Sequence, residues 1–219
     1  MLSALLHTLD SLAAARALQL ITGLVVCGAT LLMASDHRLT LAAFLAQRSI
    51  IFILLWPTLG IRLDLVNVIA FFAIALVLYG TEWRLRCTRI GEQADTGWGQ
   101  PFRMSLSFRA LAAALGLLVA YGAVQTYIIK LLPPIVGFAT AWLFVVSLLS
   151  LLLASGGLGA GLGALTFADA CRILYALGQP NLLVWGLWNV CDVLLALGTS
   201  YLHSAGAVTT TDSAPGRRL

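Results

Sequence analysis

Asp169 and Arg172 stand three residues apart, a spacing that puts two side chains on one face of a helix within reach of each other. Arg48 and Asp192 lie in two other stretches. All four fall inside apolar runs of about 20 residues, the length an α-helix needs to cross the hydrocarbon of a bilayer. A charge at that depth costs about 3 kcal/mol on insertion scales, so such groups turn inward and pair. Two acids and two bases at one depth are neutral as a set, which makes mutual pairing the economical arrangement. That chemistry has two readings. One is a buried ion-pair network that selects the correct helix packing. The other is a relay in which only Asp169 and Asp192 carry the proton, because guanidinium groups stay charged.

The remaining polar residues give little support to other chemistry. His7, His37 and His203 map to ends and turns, and nothing in their spacing brings them to an acid or a cysteine. The cysteines, Cys27, Cys87, Cys171 and Cys191, have no metal-ligand spacing and imply no disulfide framework, and the three inside spans (Cys27, Cys171 and Cys191) read as small apolar residues. The run from Ser155 to Gly163 is rich in glycine, but no Lys-Ser/Thr follows it and no strand precedes it, so it is not a phosphate loop. Instead, Gly157 with Gly161, and Gly159 with Gly163, have the small-xxx-small spacing that lets another helix approach closely. Gln47, Asn67, Asn181 and Asn189 read as interhelical hydrogen-bonding groups. No catalytic constellation is present in the sequence, so the expectation is a chain without enzymatic activity, cofactor or metal.

These residues must be positioned by helices in a membrane. The chain is 60% hydrophobic and 10% charged, with mean hydropathy +0.96; a soluble domain has about 25% charged residues. The fold expected is an all-α, polytopic transmembrane bundle of about seven spans: 17–34, 39–60, 61–80, 109–129, 135–155, 158–177 and 181–202. A six-span arrangement with a re-entrant glycine segment is the alternative. Residues 1–16 read as an interfacial amphipathic segment or an extension of the first helix, 81–108 as an arginine-rich loop, and 203–219 as a disordered tail.

The net charge of +4 does not point to nucleic acid, since the basic residues cluster at span ends. Counted by side, Arg38, Arg84, Arg86, Arg89, Arg103, Arg109, Arg217 and Arg218 fall together, against Arg16, Arg62 and Lys130. The positive-inside rule then places 81–108 and the C-terminus in the cytoplasm and the N-terminus outside, in a bacterial cytoplasmic membrane.

The stretch from Asp36 to Gln47, a short turn containing Arg38 followed by a helix bearing Gln47, resembles the start of the hydrogenase-4 component E family. The stretch 165–202 is similar to small multi-span membrane proteins of photosynthetic and filamentous bacteria. The first resemblance implies a small helical subunit in a membrane arm of the complex I or antiporter type. Arg48 departs from it, standing where an aromatic residue is usual, and the arginine-rich loop is additional. The family's membrane acids match no residue here. Two functions are expected from the small size, the few loops, the glycine face and the buried charges without a redox motif. The leading one is a non-catalytic membrane subunit of a multi-protein, energy-converting assembly, with lipid and other membrane subunits or further copies of itself as partners. The alternative is a small transporter or channel that uses the midplane charges for a solute or a proton.

Overall fold

A computed structural model describes residues 2–34, 36–56, 61–89, 106–125, 133–154, 157–178 and 181–212. Among them the chain forms seven α-helices and no strand: α1 (Leu2–Met33), α2 (His37–Leu55), α3 (Ile61–Arg89), α4 (Leu106–Gln125), α5 (Pro134–Leu153), α6 (Gly157–Ala176) and α7 (Leu182–Asp212). In lipid each backbone N–H and C=O needs a partner within its own segment, which is why apolar runs of this length become helices.

Six of the helices contain segments long and apolar enough to cross a membrane: His37–Leu55, Leu65–Arg84, Leu106–Gln125, Pro134–Leu153, Gly157–Ala176 and Leu182–Ala205. This is the helical membrane bundle expected. The seventh, α1, has a shorter apolar part, Leu18–Met33. It nevertheless packs into the bundle against α2, α5 and α4. Residues 2–33 form one continuous helix, so the N-terminal segment extends the first helix in the described structure. Gly157 begins a full-length helix rather than a re-entrant turn.

Two boundaries differ from those expected. Helix α3 runs nine residues past Gly80 to Arg89, because no glycine or proline interrupts the chain between Gly80 and Gly91. Helix α7 continues beyond Leu202 to Asp212, where the sequence first meets a proline only at Pro215. The segment 203–212, expected to be disordered, is therefore helical. The rest of the tail and most of the 81–108 loop lie outside the described residues.

Local signals set several helix starts. Asp36 caps α2, its Oδ1 accepting from the Arg38 backbone N–H at 3.1 Å. Pro134 occupies the first turn of α5, where its missing N–H costs nothing. Asn181 precedes α7 and its Oδ1 accepts from the Leu183 N–H at 3.1 Å. Its role is thus a cap rather than an interhelical bond.

The bundle has two parts. In one, α5 packs against α1, α4 and α6 around Trp142, Leu143 and Val146. In the other, α6 packs against α7 and α2, with α3 lying on α7 and α2. Both glycine pairs sit at helix contacts. A methyl added at Gly157 would come within 3.1 Å of Leu202, and one at Gly161 would overlap the Thr199 side chain, so this pair faces α7. A methyl at Gly163 would lie 3.1 Å from Leu151 and one at Gly159 3.5 Å from Ala154, so the second pair faces α5 and the residue after it. Helix α6 is thereby held closely on two sides, which fixes the orientation of the charged face further along it.

Candidate functional site

Periodic inward-facing stripes bring the charged residues together. On α7 the buried positions Trp185, Asn189, Asp192, Ala196 and Thr199 recur every three or four residues, one face of a helix. On α6 the buried face includes Asp169 and Arg172, and on α2 it includes Gln47, Arg48 and Ile51. Helix α3 contributes Asn67 at the start of a stripe that continues through Ala70, Ile74 and Leu78.

The four charged side chains close into a ring of alternating sign. Arg48 Nη2 lies 3.1 Å from Asp169 Oδ1 and also pairs with Asp192 Oδ2. Arg172 Nη1 lies 3.5 Å from the same Asp169 oxygen, and its Nη2 pairs with Asp192 Oδ2. Each aspartate therefore touches both arginines. Asn67 joins from α3, its Oδ1 accepting from Arg172 Nη1 at 3.3 Å. Exposure of the four charged residues runs from 0% at Asp192 to 5% at Arg48, so neither lipid nor bulk water reaches the ring. The four charged residues come from α2, α6 and α7, and Asn67 adds α3 to the cluster.

Aromatic residues lie against the ring. The Arg172 guanidinium carbon sits 5.7 Å from the Trp185 ring centroid and that of Arg48 5.9 Å from Phe44, distances at which cation and π-face attract. Trp185 stacks on Tyr175, with centroids 6.2 Å apart, and the Tyr175 hydroxyl accepts from the Asn181 N–H at 3.0 Å. A continuous series from Arg172 through Trp185 and Tyr175 thus reaches the α6–α7 turn. Arg172 is only four residues from the end of α6, about one helical turn. The ring accordingly extends from the middle of the bundle toward that end, rather than lying wholly at mid-depth.

Many of the polar atoms here lack partners. Among the described residues, Arg48 Nη1, Arg172 Nε, Asp169 Oδ2 and Asp192 Oδ1 are buried without a hydrogen bond. So are Trp185 Nε1 and Asn189 Oδ1, the Asn189 amide nitrogen being spent on the Trp185 carbonyl of its own helix at 2.9 Å. Both amide atoms of Gln47, which adjoins Arg48 in the chain, are also unpartnered. The interhelical bonds expected of Gln47 and Asn189 are therefore not formed. Each such group costs about 1–3 kcal/mol, more where charged. Several hydroxyls elsewhere in the bundle differ: Thr40, Thr140, Thr166 and Thr199 each donate to a carbonyl four residues back in the chain, although Ser200 Oγ is buried without a partner.

A second polar group lies at the opposite end. His203 Nε2 is 3.4 Å from Glu82 Oε1, and the His37 and His203 rings meet edge to face at 5.4 Å. The expectation that no histidine meets an acid is corrected here. It failed because α3 continues past Gly80 and α7 past Leu202, carrying Glu82 and His203 to the start of α2. Among the described residues no group of three or more His, Cys, Asp or Glu is arranged to hold a metal ion.

No known protein family, no curated protein sequence and no solved structure matches this chain. The resemblance seen at 36–47 rests on those residues alone. The architecture is that of a helical membrane protein, with six helices long and apolar enough to cross a bilayer among the described residues.

Proposed function

We propose that this chain is an integral membrane protein that binds a small polar species at the Arg48–Asp169–Arg172–Asp192 ring and passes it across the bilayer, without catalytic chemistry of its own. The observation that carries this reading is the density of unpartnered polar atoms around the ring. A ring serving only to lock the packing would gain by satisfying those groups internally, because half-satisfied buried networks are worse than apolar ones. Groups that must exchange partners with a passing species are the ones left open. The basic residues near the α1–α2 turn, on the α3–α4 connection and in the tail support a cytoplasmic placement for that face, in a bacterial cytoplasmic membrane with the N-terminus outside.

Reconstitution of the full chain into liposomes tests the reading. Wild-type protein raises the flux of at least one small polar probe, and Asp169→Asn or Asp192→Asn abolishes it while helical content and insertion are kept. Undiminished flux through folded Asp192→Asn protein would remove the ring from the path.

A second reading is favoured by α4. Only Ala113, Gly116 and Ala120 of this helix are buried, while Leu111, Leu115, Leu118, Val119 and Tyr121 face outward. A helix with so much apolar surface turned outward leaves room for a neighbouring membrane subunit, and the ring would then be one station in a larger, energy-converting assembly. Extraction in mild detergent separates the two. Co-purifying multi-span subunits support the assembly, and a clean monomer that transports by itself excludes it.

A further inference from the structure

We infer that the species taken by the ring is a small, net-neutral solute with both hydrogen-bond donors and acceptors, and not a free cation, anion or proton. This rests on the transport reading above and specifies its substrate class. The ring holds two guanidinium groups and two carboxylates, each aspartate in contact with both arginines, so its formal charges sum to zero. A bare ion brought to a site with no net charge loses its hydration and gains no net opposite charge in return, since every open carboxylate oxygen is matched by a guanidinium beside it. A net-neutral guest does not meet that penalty. What it needs is a balanced set of hydrogen-bonding groups, and the open atoms supply one. Arg48 Nη1, Arg172 Nε and Trp185 Nε1 are donors; Asp169 Oδ2, Asp192 Oδ1 and Asn189 Oδ1 are acceptors. Three of each sign come from α2, α6 and α7. A guest carrying only one kind of group would leave half of them unmet, whereas one carrying both satisfies both halves at once.

The same geometry disfavours proton passage. A proton accepted by Asp169 or Asp192 removes one of the two negative charges that the arginines share, and leaves the ring with an uncompensated positive charge behind a wall of apolar side chains. Trp185 has a further part. Its face packs under Arg172 while its N–H stays open, so it offers a donor beside the ring without belonging to the ion pairs.

The experiment uses full-length protein in liposomes. Entry of glycerol, urea and zwitterionic glycine is followed by stopped-flow light scattering or radiolabel, and entry of Na+, K+, Cl− and H+ by ion-sensitive dyes. The expected result is entry of one or more of the three neutral probes several-fold faster than into protein-free liposomes, with ionic flux at background. Trp185→Phe keeps the aromatic packing but removes one donor, and is expected to slow neutral entry severalfold with the fold intact. Proton or ion flux without neutral entry would overturn the substrate class while leaving transport standing. Background rates for every probe would overturn both the class and the transport reading. Unchanged neutral entry in Trp185→Phe would overturn its assignment as an open donor.

Discussion

Two buried tryptophans show how differently the two parts of the bundle are built. Trp142, in α5, is 1% exposed and its Nε1 donates to the Leu24 carbonyl of α1 at 3.2 Å. It reaches that carbonyl because Gly28 sits beside it: a methyl there would lie 2.7 Å from the indole nitrogen. Trp185, in α7, is 0% exposed, yet its Nε1 has no partner and its face carries Arg172. The α1–α4–α5 region is thus an apolar seam in which the polar atom of a large side chain is satisfied. The α2–α3–α6–α7 region encloses charges whose outer atoms are left open. In the first region Arg109 Nε of α4 is the one buried side-chain polar atom left open among the described residues, whereas in the second several are left open around the ring. The difference teaches that burial alone does not separate the two regions of this bundle; satisfaction of the buried polar atoms does.

The largest effect that would break this comparison is expected at the ring. Removing one member, as in Asp192→Leu, leaves an uncompensated charge and costs about 3–5 kcal/mol. Adding Arg48→Met restores neutrality and recovers part of that loss. Unfolding by a graded denaturing detergent checks both, and a double variant less stable than the single one would show that charge balance is not what the ring maintains.

Close helix contacts come next. Gly161→Ala forces its methyl into Thr199, and Gly28→Ala crowds Trp142; overpacking of this kind costs about 1–3 kcal/mol. Pairing Gly161→Ala with Thr199→Ala recovers most of the loss if the α6–α7 contact is its source, and a double-mutant cycle measures that recovery.

The tryptophans themselves give the sharpest contrast. Trp142→Phe loses a made hydrogen bond, about 0.5–1.5 kcal/mol, together with some packing. Trp185→Phe removes a donor that had no partner and is expected to be neutral or slightly stabilising, by the same melting measurement. Equal losses at both sites would erase the distinction between seam and site. Smallest of all, Leu118→Ala on the outward face of α4 is expected to change stability by within about 0.5 kcal/mol.

Much of this was legible in the chain. Apolar run lengths gave the helices, since a bilayer allows few alternatives to a hydrogen-bonded helix. The four ring residues stood out because charge at depth is costly, and the spacing of Asp169 and Arg172 placed them on one face. Gly157, Gly159, Gly161 and Gly163 were readable as packing positions from their spacing, although not which pair would face which neighbour. Trp185 could have been found too, seven residues before Asp192 and hence on its face. The ends of α3 and α7 were less legible, because the polar stretch after Gly80 and the stretch after Leu202, which carries Gly206 but no proline before Pro215, are compatible with either a loop or a solvated helix. His203 meeting Glu82 was hidden for the same reason.

What the sequence determined by itself was a set of requirements: helices long enough to span, charges that must pair, and glycines that must meet something. Only the tertiary structure decided the partners. Pairing of Arg48 with Asp192 joins residues 144 positions apart, and no local preference encodes a contact of that range. The packing of α6 between α5, α7 and α2 set which charges close the ring and which of their atoms stay open. The physical reason is that depth in a bilayer is a property of one helix, read from its own residues, whereas rotation and neighbourhood belong to the bundle.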